Sequence, residues 1–398
     1  MHPTSVLTTI TGRDRPGITA ALFAALAAHD VEIRDVEQVV IRDRLILAVL
    51  LDLHGDPAAL RNSITQAARA LGMECEVTIA DSSRVAAGRA QRGARSHVIV
   101  LGRPLRSGAL SHVAQRIADI GDNIESVVQL STEPATSIEM IVRSADPIRL
   151  RATLVQAAED SGVDIAVEQA GLRRRAKRLV VLDVDSTLIR DEAIDVLAGR
   201  AGVSEQVSQI TERAMSGHLD FAQSLHERVA LLAGLPERIV LEVRDALQLT
   251  PGARTFVRTL HRLGYHVGVV SGGFTVFTDR FVDELGLDFA AANQLEIVDG
   301  LVTGRVVGPL VDRPGKALAM AQFAAKFGVP LAQTVAVGDG ANDIDMLEAA
   351  GLGIAFNAKS ALRAAADTSV NLPYLDTVLF VLGISRDEID EADAADEL

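Results

Sequence analysis

A continuous apolar run that ends in two carboxylates restricts this chain more than any other feature. Residues 179–189 read LVVLDVDSTLI. An unbroken run of apolar residues suits a strand buried on both faces, as in a parallel sheet covered by helices. Three further runs, HVGVVS, TVAVGD and GIAF, follow it at intervals filled by helical patterns. That alternation predicts an α/β domain with a Rossmann-like parallel sheet. In such a sheet, ligands gather beyond the carboxyl ends of the strands. The LVVL run therefore delivers Asp183 and Asp185 to the edge where chemistry takes place.

Other strand ends bring polar residues to the same edge. HVGVV is followed by Ser271, Gly272 and Gly273, and TVAV by Gly338, Asp339, Gly340, Asn342 and Asp343. Lys316 opens a helix in DRPGKALAM. Carboxylates crowded at one place repel unless a cation lies among them. An all-oxygen donor set favours a hard, octahedral ion such as Mg²⁺. Lys316 is then free to neutralise a phosphate, and the SGG turn adds anion donors. The set suits phosphoryl transfer, in which a carboxylate nucleophile divides the reaction into two displacements. The neighbouring carboxylate moves the proton. Each piece alone is weak, since acidic turns and glycine turns are common. Their ordered succession, with a lysine between, is specific.

Between the first two strands lie about sixty residues, DEAIDVLAGRAGVSEQ through VLEVRDAL, whose pattern is helical throughout. They predict a helical cap over the sheet edge, at about 190–250. The N-terminal half is a duplication. Residues 5–79 read as strand, helix, two strands, helix and strand, with Ile18, Leu22 and Leu26 striping the first helix. Residues 96–169 repeat the βαββαβ order, and the spacing of Gly17 to Ile33 equals that of Gly108 to Ile124. The linker, DSSRVAAGRAQRGARS, reads as flexible. The domain limits expected are 1–81, 95–171 and 177–390.

Composition narrows the partners. A net charge of −14 argues against general affinity for nucleic acid or anionic membranes. The basic run RRRAKR reads as a charged hinge ahead of a buried strand, and the acidic tail SRDEIDEADAADEL as a solvated helix end or frayed segment. A single cysteine, Cys75, and the lack of any long apolar run predict a soluble cytoplasmic chain.

DVDSTLI, VVSGG, the lysine of RPGK and VGDGANDIDML together resemble the four motifs of the haloacid dehalogenase superfamily. The cap, with EAIDVLA and the run MSGHLDFAQSLHERV, resembles that of the phosphoserine phosphatases within it. The resemblance implies Asp183 as nucleophile and Asp185 as general acid and base. Mg²⁺ would be held by Asp183, Asp339 and the main-chain carbonyl of Asp185, with Asp343 behind them. Ser271, Gly272, Lys316 and Asn342 would hold phosphate. Glu192 would meet an ammonium and Arg228 a carboxylate, while Met215 and Phe221 line the pocket and exclude water. The implied reaction is Mg²⁺-dependent hydrolysis of O-phospho-L-serine, the final step of L-serine biosynthesis. Two alternatives stay open: another small phosphomonoester as substrate, or an amino-acid sensor with a degenerate phosphatase domain. The two repeats resemble ACT domains, modules that bind amino acids where copies meet. That implies L-serine as effector near Gly17 and Gly108, and a homodimer or higher homo-oligomer. The second copy lacks the DRPG form of the first.

Overall fold

In the first repeat, alternation of apolar residues along one strand sets the layer order. The computed structural model describes residues 3–79, 93–216, 218–358 and 360–396. It divides into two compact units, residues 1–92 and 93–398. The first unit runs β1 (Thr4–Arg13), α1 (Ile18–Leu26), β2 (Val31–Ile41), β3 (Arg44–Leu53), α2 (Pro57–Ala70) and β4 (Glu74–Ile79). Its antiparallel sheet has the order β2-β3-β1-β4. Every second residue of β3, from Leu45 to Leu53, points into one core with Ile18, Leu22 and Leu26 of α1 and Leu60 and Ile64 of α2. Asp56 caps α2 by accepting from the Ala58 N–H at 2.9 Å, and Pro57 opens the helix with its fixed φ. Cys75 lies on β4 with its thiol pushed up by burial, so it is not an activated nucleophile.

The second unit opens with the second copy: β5 (Ala94–Gly102), α3 (Ser107–Asp119), β6 (Asn123–Ser131), β7 (Thr136–Ser144), α4 (Pro147–Ser161) and β8 (Asp164–Gln169). The order β6-β7-β5-β8 repeats the first sheet. The copies part at the turn into the first helix. Gly17 is the N-cap of α1 in the left-handed region, at φ 96°, where a side chain is disfavoured. Gly108 instead lies inside α3, whose N-cap is the extended Arg106. The second turn holds one more residue between its flanking glycines, Gly102 and Gly108 against Gly12 and Gly17, and this displaces the helix start. The two glycines are therefore not structural equivalents. The linker lies mostly outside the described residues.

A shared interior joins this second copy to the C-terminal domain. Ile99, Leu101, Leu130 and Ala166 belong to the same buried cluster as the core of that domain. Asp164 accepts from Asn371 twice, from Nδ2 at 2.6 Å and from the backbone N–H at 2.7 Å. Arg174, in the short α5 (Leu172–Arg175), reaches Glu168 at 2.9 Å and Glu139 at 2.8 Å, and Lys177 donates to the Gly351 carbonyl at 2.6 Å. Arg174 and Lys177 of the basic run are thus consumed inside the seam.

From there the chain forms β9 (Leu179–Leu182), then the cap helices α6 (Ala193–Ala201), α7 (Ser204–Met215), α8 (Phe221–Ala230) and α9 (Glu237–Ala246). After α10 (Ala253–Arg262) come β10 (His266–Phe274), α11 (Thr275–Leu285), the hairpin β11 (Phe289–Val298) and β12 (Leu301–Val307), and α12 (Arg313–Lys326). The chain closes with β13 (Thr334–Gly338), α13 (Ile344–Ala349), β14 (Gly353–Phe356), α14 (Ser360–Ala365), β15 (Thr368–Val370), α15 (Thr377–Val381) and α16 (Arg386–Asp396). The sheet order is β12-β11-β10-β9-β13-β14-β15, parallel except for the β11–β12 pair. Strand β9 lies at its centre with Val180 and Leu182 in one core and Leu179 and Val181 in the other. Four strands were legible as apolar runs; β11, β12 and β15 were not, because they are short or mixed in polarity. Within the described residues the acidic tail is a helix end rather than a frayed segment: α16 is docked through buried Ile389, and Asp393 pairs with Arg258 and Arg262. Among the described residues no helix is long and apolar enough to cross a membrane.

The seam depends on Asp164 in a way that can be measured. Asp164→Ala removes the buried acceptor of both Asn371 bonds, and urea unfolding should show a loss of about 1 kcal/mol. Burial raises the Asp164 pKa despite the two bonds from Asn371. A carboxyl raised on folding stabilises below its unfolded pKa, and this contribution is lost as pH rises through the folded value. The stability of the wild type relative to Asp164→Asn should accordingly fall as the pH is raised from about 4.

Candidate active site

Strand β9 ends at Leu182, and the chain turns at once, carrying Asp183 to the carboxyl edge of the sheet with only 3% of its surface exposed. The fully buried Lys316, one turn into α12, places its ammonium between two carboxylates. Its Nζ lies 2.8 Å from Asp183 Oδ1 and 2.7 Å from Asp343 Oδ1. The other Asp343 oxygen accepts from the Gly340 N–H at 3.0 Å. This approach requires glycine at the end of β13, because a Cβ at Gly338 would lie 2.5 Å from the Asp343 carboxyl carbon. Ligand oxygens of Asp183, Asp339 and Asp343 all fall within 4.8 Å of one another.

Two buried carboxylates, Asp183 and Asp343, share the one ammonium of Lys316, which leaves that group of three short of positive charge. Burial first, and then the Asp343 charge, push the Asp183 pKa well above the ordinary carboxylate range in spite of Lys316. Burial also works against the charge on Lys316, but Asp183 and Asp343 outweigh it and hold the ammonium firmly protonated. The donor set is entirely oxygen, and a hard divalent cation there would restore the balance. Asp183, Asp339 and Asp343 therefore fit such an ion by chemistry as well as by proximity.

Asp185 is held differently. Its Oδ1 accepts from the Ala193 N–H at 2.8 Å, and its Oδ2 faces Ser271 Oγ at 3.5 Å. Burial, followed by the charge of Glu192, raises its pKa to about 6. The carboxyl thus exchanges a proton near neutrality while its position is fixed by backbone. Ser271 ends the apolar part of β10, is 1% exposed, and accepts from the Gly273 N–H at 2.8 Å. A Cβ at Gly272 would come within 3.1 Å of the Phe221 ring, so glycine lets the cap approach this turn without displacing that ring.

The cap supplies the opposite wall. Asp220 accepts from the Gln223 N–H at 2.8 Å, and the Gln223 side chain accepts from the Asp220 N–H at 3.0 Å, which fixes the start of α8. Phe221 and Arg228, seven residues apart on that helix, then share a face. Together with Glu192, the N-cap of α6, they line a cavity of about 550 Å³. Asp183, Asp185, Gly272, Asp339 and Asn342 line it from the sheet side. Glu192 accepts from Ser186 Oγ at 3.1 Å, and Arg228 Nε donates to the Ser224 carbonyl at 3.3 Å. Burial lowers the Arg228 pKa, against the charges of Asp195, Glu192 and Asp185. Ser271, Lys316 and Asp343 stand in the wall immediately behind. Met215 ends α7, and its side chain is outside the described residues.

Sequence reasoning passed over three residues. Asp195 lines the cavity beside Arg228, and its three-residue spacing from Glu192 on a helix start was the available signal. Arg313 lines it too, tied to Asp345, and stands in the same RPGK run as Lys316. Asn293 lies behind the SGG turn, a lone amide in FAAANQLEI that no local pattern singles out.

Comparison with known proteins agrees with this geometry. Residues 177–351 match the haloacid dehalogenase-like hydrolase family, and residues 4–78 and 95–168 each match an ACT domain family. A phosphoserine phosphatase of Streptomyces coelicolor is 53% identical over 400 residues, covering 99% of this chain and 96% of its own. One from Mycobacterium tuberculosis is 54% identical over 400 residues, covering 98% and 96%. The chain belongs to the phosphoserine phosphatase family. Among solved structures, a probable phosphoserine phosphatase of Vibrio cholerae, in its unliganded form, superposes with a TM-score of 0.59 at 35% identity. It covers 74% of this chain and 88% of its own. Membership in the phosphoserine phosphatases makes this chain an enzyme of the haloacid dehalogenase class, with two ACT domains ahead of the catalytic domain.

Proposed function

We propose that the chain hydrolyses O-phospho-L-serine to L-serine and inorganic phosphate. The observation that carries this reading is the opposition, across one cavity, of the Asp183–Lys316–Asp343 cluster and the Glu192–Arg228 pair. The substrate bears a phosphate, an ammonium and a carboxylate, and the cavity offers one partner for each. Lys316, Ser271, Asn342 and the N–H groups of the SGG turn take the phosphate. Glu192 takes the ammonium, Arg228 forks onto the carboxylate, and Phe221 closes over the turn. Met215 is assigned to the same wall on its place at the end of α7.

Asp183 attacks phosphorus and the serine oxygen leaves, giving a phosphoaspartyl intermediate. Asp185 in its protonated form gives that oxygen a proton as the bond breaks. The resulting carboxylate then takes a proton from water as the water attacks the aspartyl phosphate, and phosphate is released. A Mg²⁺ held by Asp183, Asp339 and the Asp185 carbonyl, with Asp343 behind them, would supply neutralising charge to the phosphoryl oxygens. Lys316 opposes the protonation of Asp183 that burial favours and fixes its Oδ1 at 2.8 Å, and the bound ion would supply the rest of the charge balance. An intact nucleophile, proton carrier and lysine disfavour a degenerate sensor domain.

Regulation and assembly follow from the N-terminal repeats. L-serine is proposed as the effector at the first ACT domain, where Gly17 leaves its backbone open to a carboxylate; the displaced helix start makes Gly108 the poorer candidate. A homodimer or higher homo-oligomer is supported by exposed apolar residues on edge strand β2, Ile33, Val39 and Ile41 among them. A role in the last step of serine biosynthesis, in the cytoplasm, accords with this chemistry and with the free Cys75.

Phosphate release from phosphoserine should depend on Mg²⁺ and vanish on chelation. Asp183→Asn should lower kcat at least about a thousandfold; retained turnover would overturn the mechanism. Arg228→Ala should cut kcat/KM for phosphoserine by about a hundredfold. It should change turnover of phosphoethanolamine, which lacks the carboxylate, by less than about threefold. Equal losses on both substrates would remove Arg228 from substrate recognition. L-Serine should inhibit the full chain and not a chain starting at Gly93, with light scattering in the same titration reporting the assembly. Unchanged inhibition after that deletion would exclude the first ACT domain as the sensor.

A further inference from the structure

Asn293 is a fully buried amide outside the set of groups that contact substrate, and both ends of its side chain are spent on the backbone of the site. It lies on β11, beside the end of β10. Its Nδ2 donates to the Gly272 carbonyl at 2.8 Å, and its Oδ1 accepts from the Val311 N–H at 2.8 Å. The first bond reaches the SGG turn. The second reaches the segment that leads into α12, where Asp312 caps the helix by accepting from the Gly315 N–H at 2.8 Å. Lys316 comes one residue later.

The planarity of the peptide bond gives the first contact its consequence. The C=O of Gly272 and the N–H of Gly273 belong to one trans-planar unit and point in opposite directions. Holding the carbonyl on Asn293 turns the N–H towards Ser271, where it donates to Oγ at 2.8 Å. With a lone pair so engaged, the Ser271 hydroxyl directs its own proton outward, to Asp185 Oδ2 at 3.5 Å or to an arriving anion. A Gly-Gly peptide has little steric resistance to rotation. Released from Asn293, it is free to flip and present its carbonyl oxygen to Ser271, drawing the hydroxyl proton away from the phosphate. Asp185 Oδ2 and Ser271 Oγ would each lie 3.0 Å from a Cβ at Gly273, so the turn has no room for a bulkier means of fixing it.

We infer that Asn293 is a positioning residue for phosphoryl transfer, locking the Gly272–Gly273 peptide in the orientation that turns the Ser271 hydroxyl outward to an anion and setting the entry of the lysine-bearing helix against it. The inference rests on the proposed phosphate site and deepens it. Asn293→Asp tests it, because the carboxylate keeps an acceptor for Val311 and replaces the donor to Gly272 with a repelling oxygen. Steady-state kinetics on phosphoserine, vanadate inhibition and thermal melting are read together on the full-length Mg²⁺-loaded enzyme. The expected result is a fall in kcat/KM of about tenfold to a hundredfold, with vanadate inhibition weakened by a similar factor and melting still above the assay temperature. Asn293→Ser, which keeps a donor too short to span both segments, should shift both quantities in the same direction. A residue serving only the fold would lower the active fraction and leave the vanadate constant of the remaining enzyme unchanged; that outcome overturns the inference. So does the failure of both variants to fold. Wild-type enzyme insensitive to vanadate would instead reject the phosphate site itself, so the two failures are distinguishable.

Discussion

A buried ammonium shared by two buried carboxylates holds the catalytic domain's working edge together. Lys316 Nζ touches Asp183 and Asp343 at 2.8 and 2.7 Å, and these residues come from α12, from the end of β9 and from the turn after β13. Taking three charges out of water is costly, and a well-packed apolar substitute would often serve stability as well or better. The arrangement makes sense as a poised charge distribution. The ammonium offsets only part of what burial and the Asp343 charge do to Asp183, and the oxygen donors gathered there fit a divalent ion that would restore the balance. Every other feature of the site is placed relative to this point. The turn after Asp183 swings Asp185 under Ser271, Gly338 admits Asp343, and the first turn of α12 is capped so that Lys316 enters at a fixed height.

The cap and the two ACT domains are built outward from that edge in separate layers. The cap contributes charges of both signs: Arg228 on a helix whose start is fixed by a capping box, and Glu192 at the start of a helix whose Ala193 N–H is held by Asp185. The second ACT domain shares a buried interior with the catalytic sheet and is stitched to it through Asp164, Asn371 and Arg174. The first ACT domain closes its own core and forms a separate compact unit. The two repeats have thus diverged in physical role as well as in the turn that starts their first helix.

Much of this could be read from residue order. Continuous apolar runs ending in Asp183, Ser271 and Asp339 predicted a parallel sheet with its chemistry at one edge, because such runs have no stable home except a doubly covered strand. The duplication was visible because both copies keep the same order of alternating and helical patterns. Short or mixed strands, β11, β12 and β15, left no comparable trace. The acidic tail reads as solvated and is largely exposed, and its docking left no local trace because its arginine partners on α10 are over a hundred residues away in the chain.

The sequence by itself determined which groups would meet at the sheet edge and in what order, since strand period and helix caps act over a few residues. Only the tertiary structure decided how those groups are charged and aimed. The protonation of Asp185, the sharing of Lys316, the seam around Asp164 and the hold of Asn293 on the Gly272 carbonyl all depend on burial and on partners brought from distant segments. Local patterns carry no information about the water that folding removes or about which backbone groups are left facing one another once it is gone.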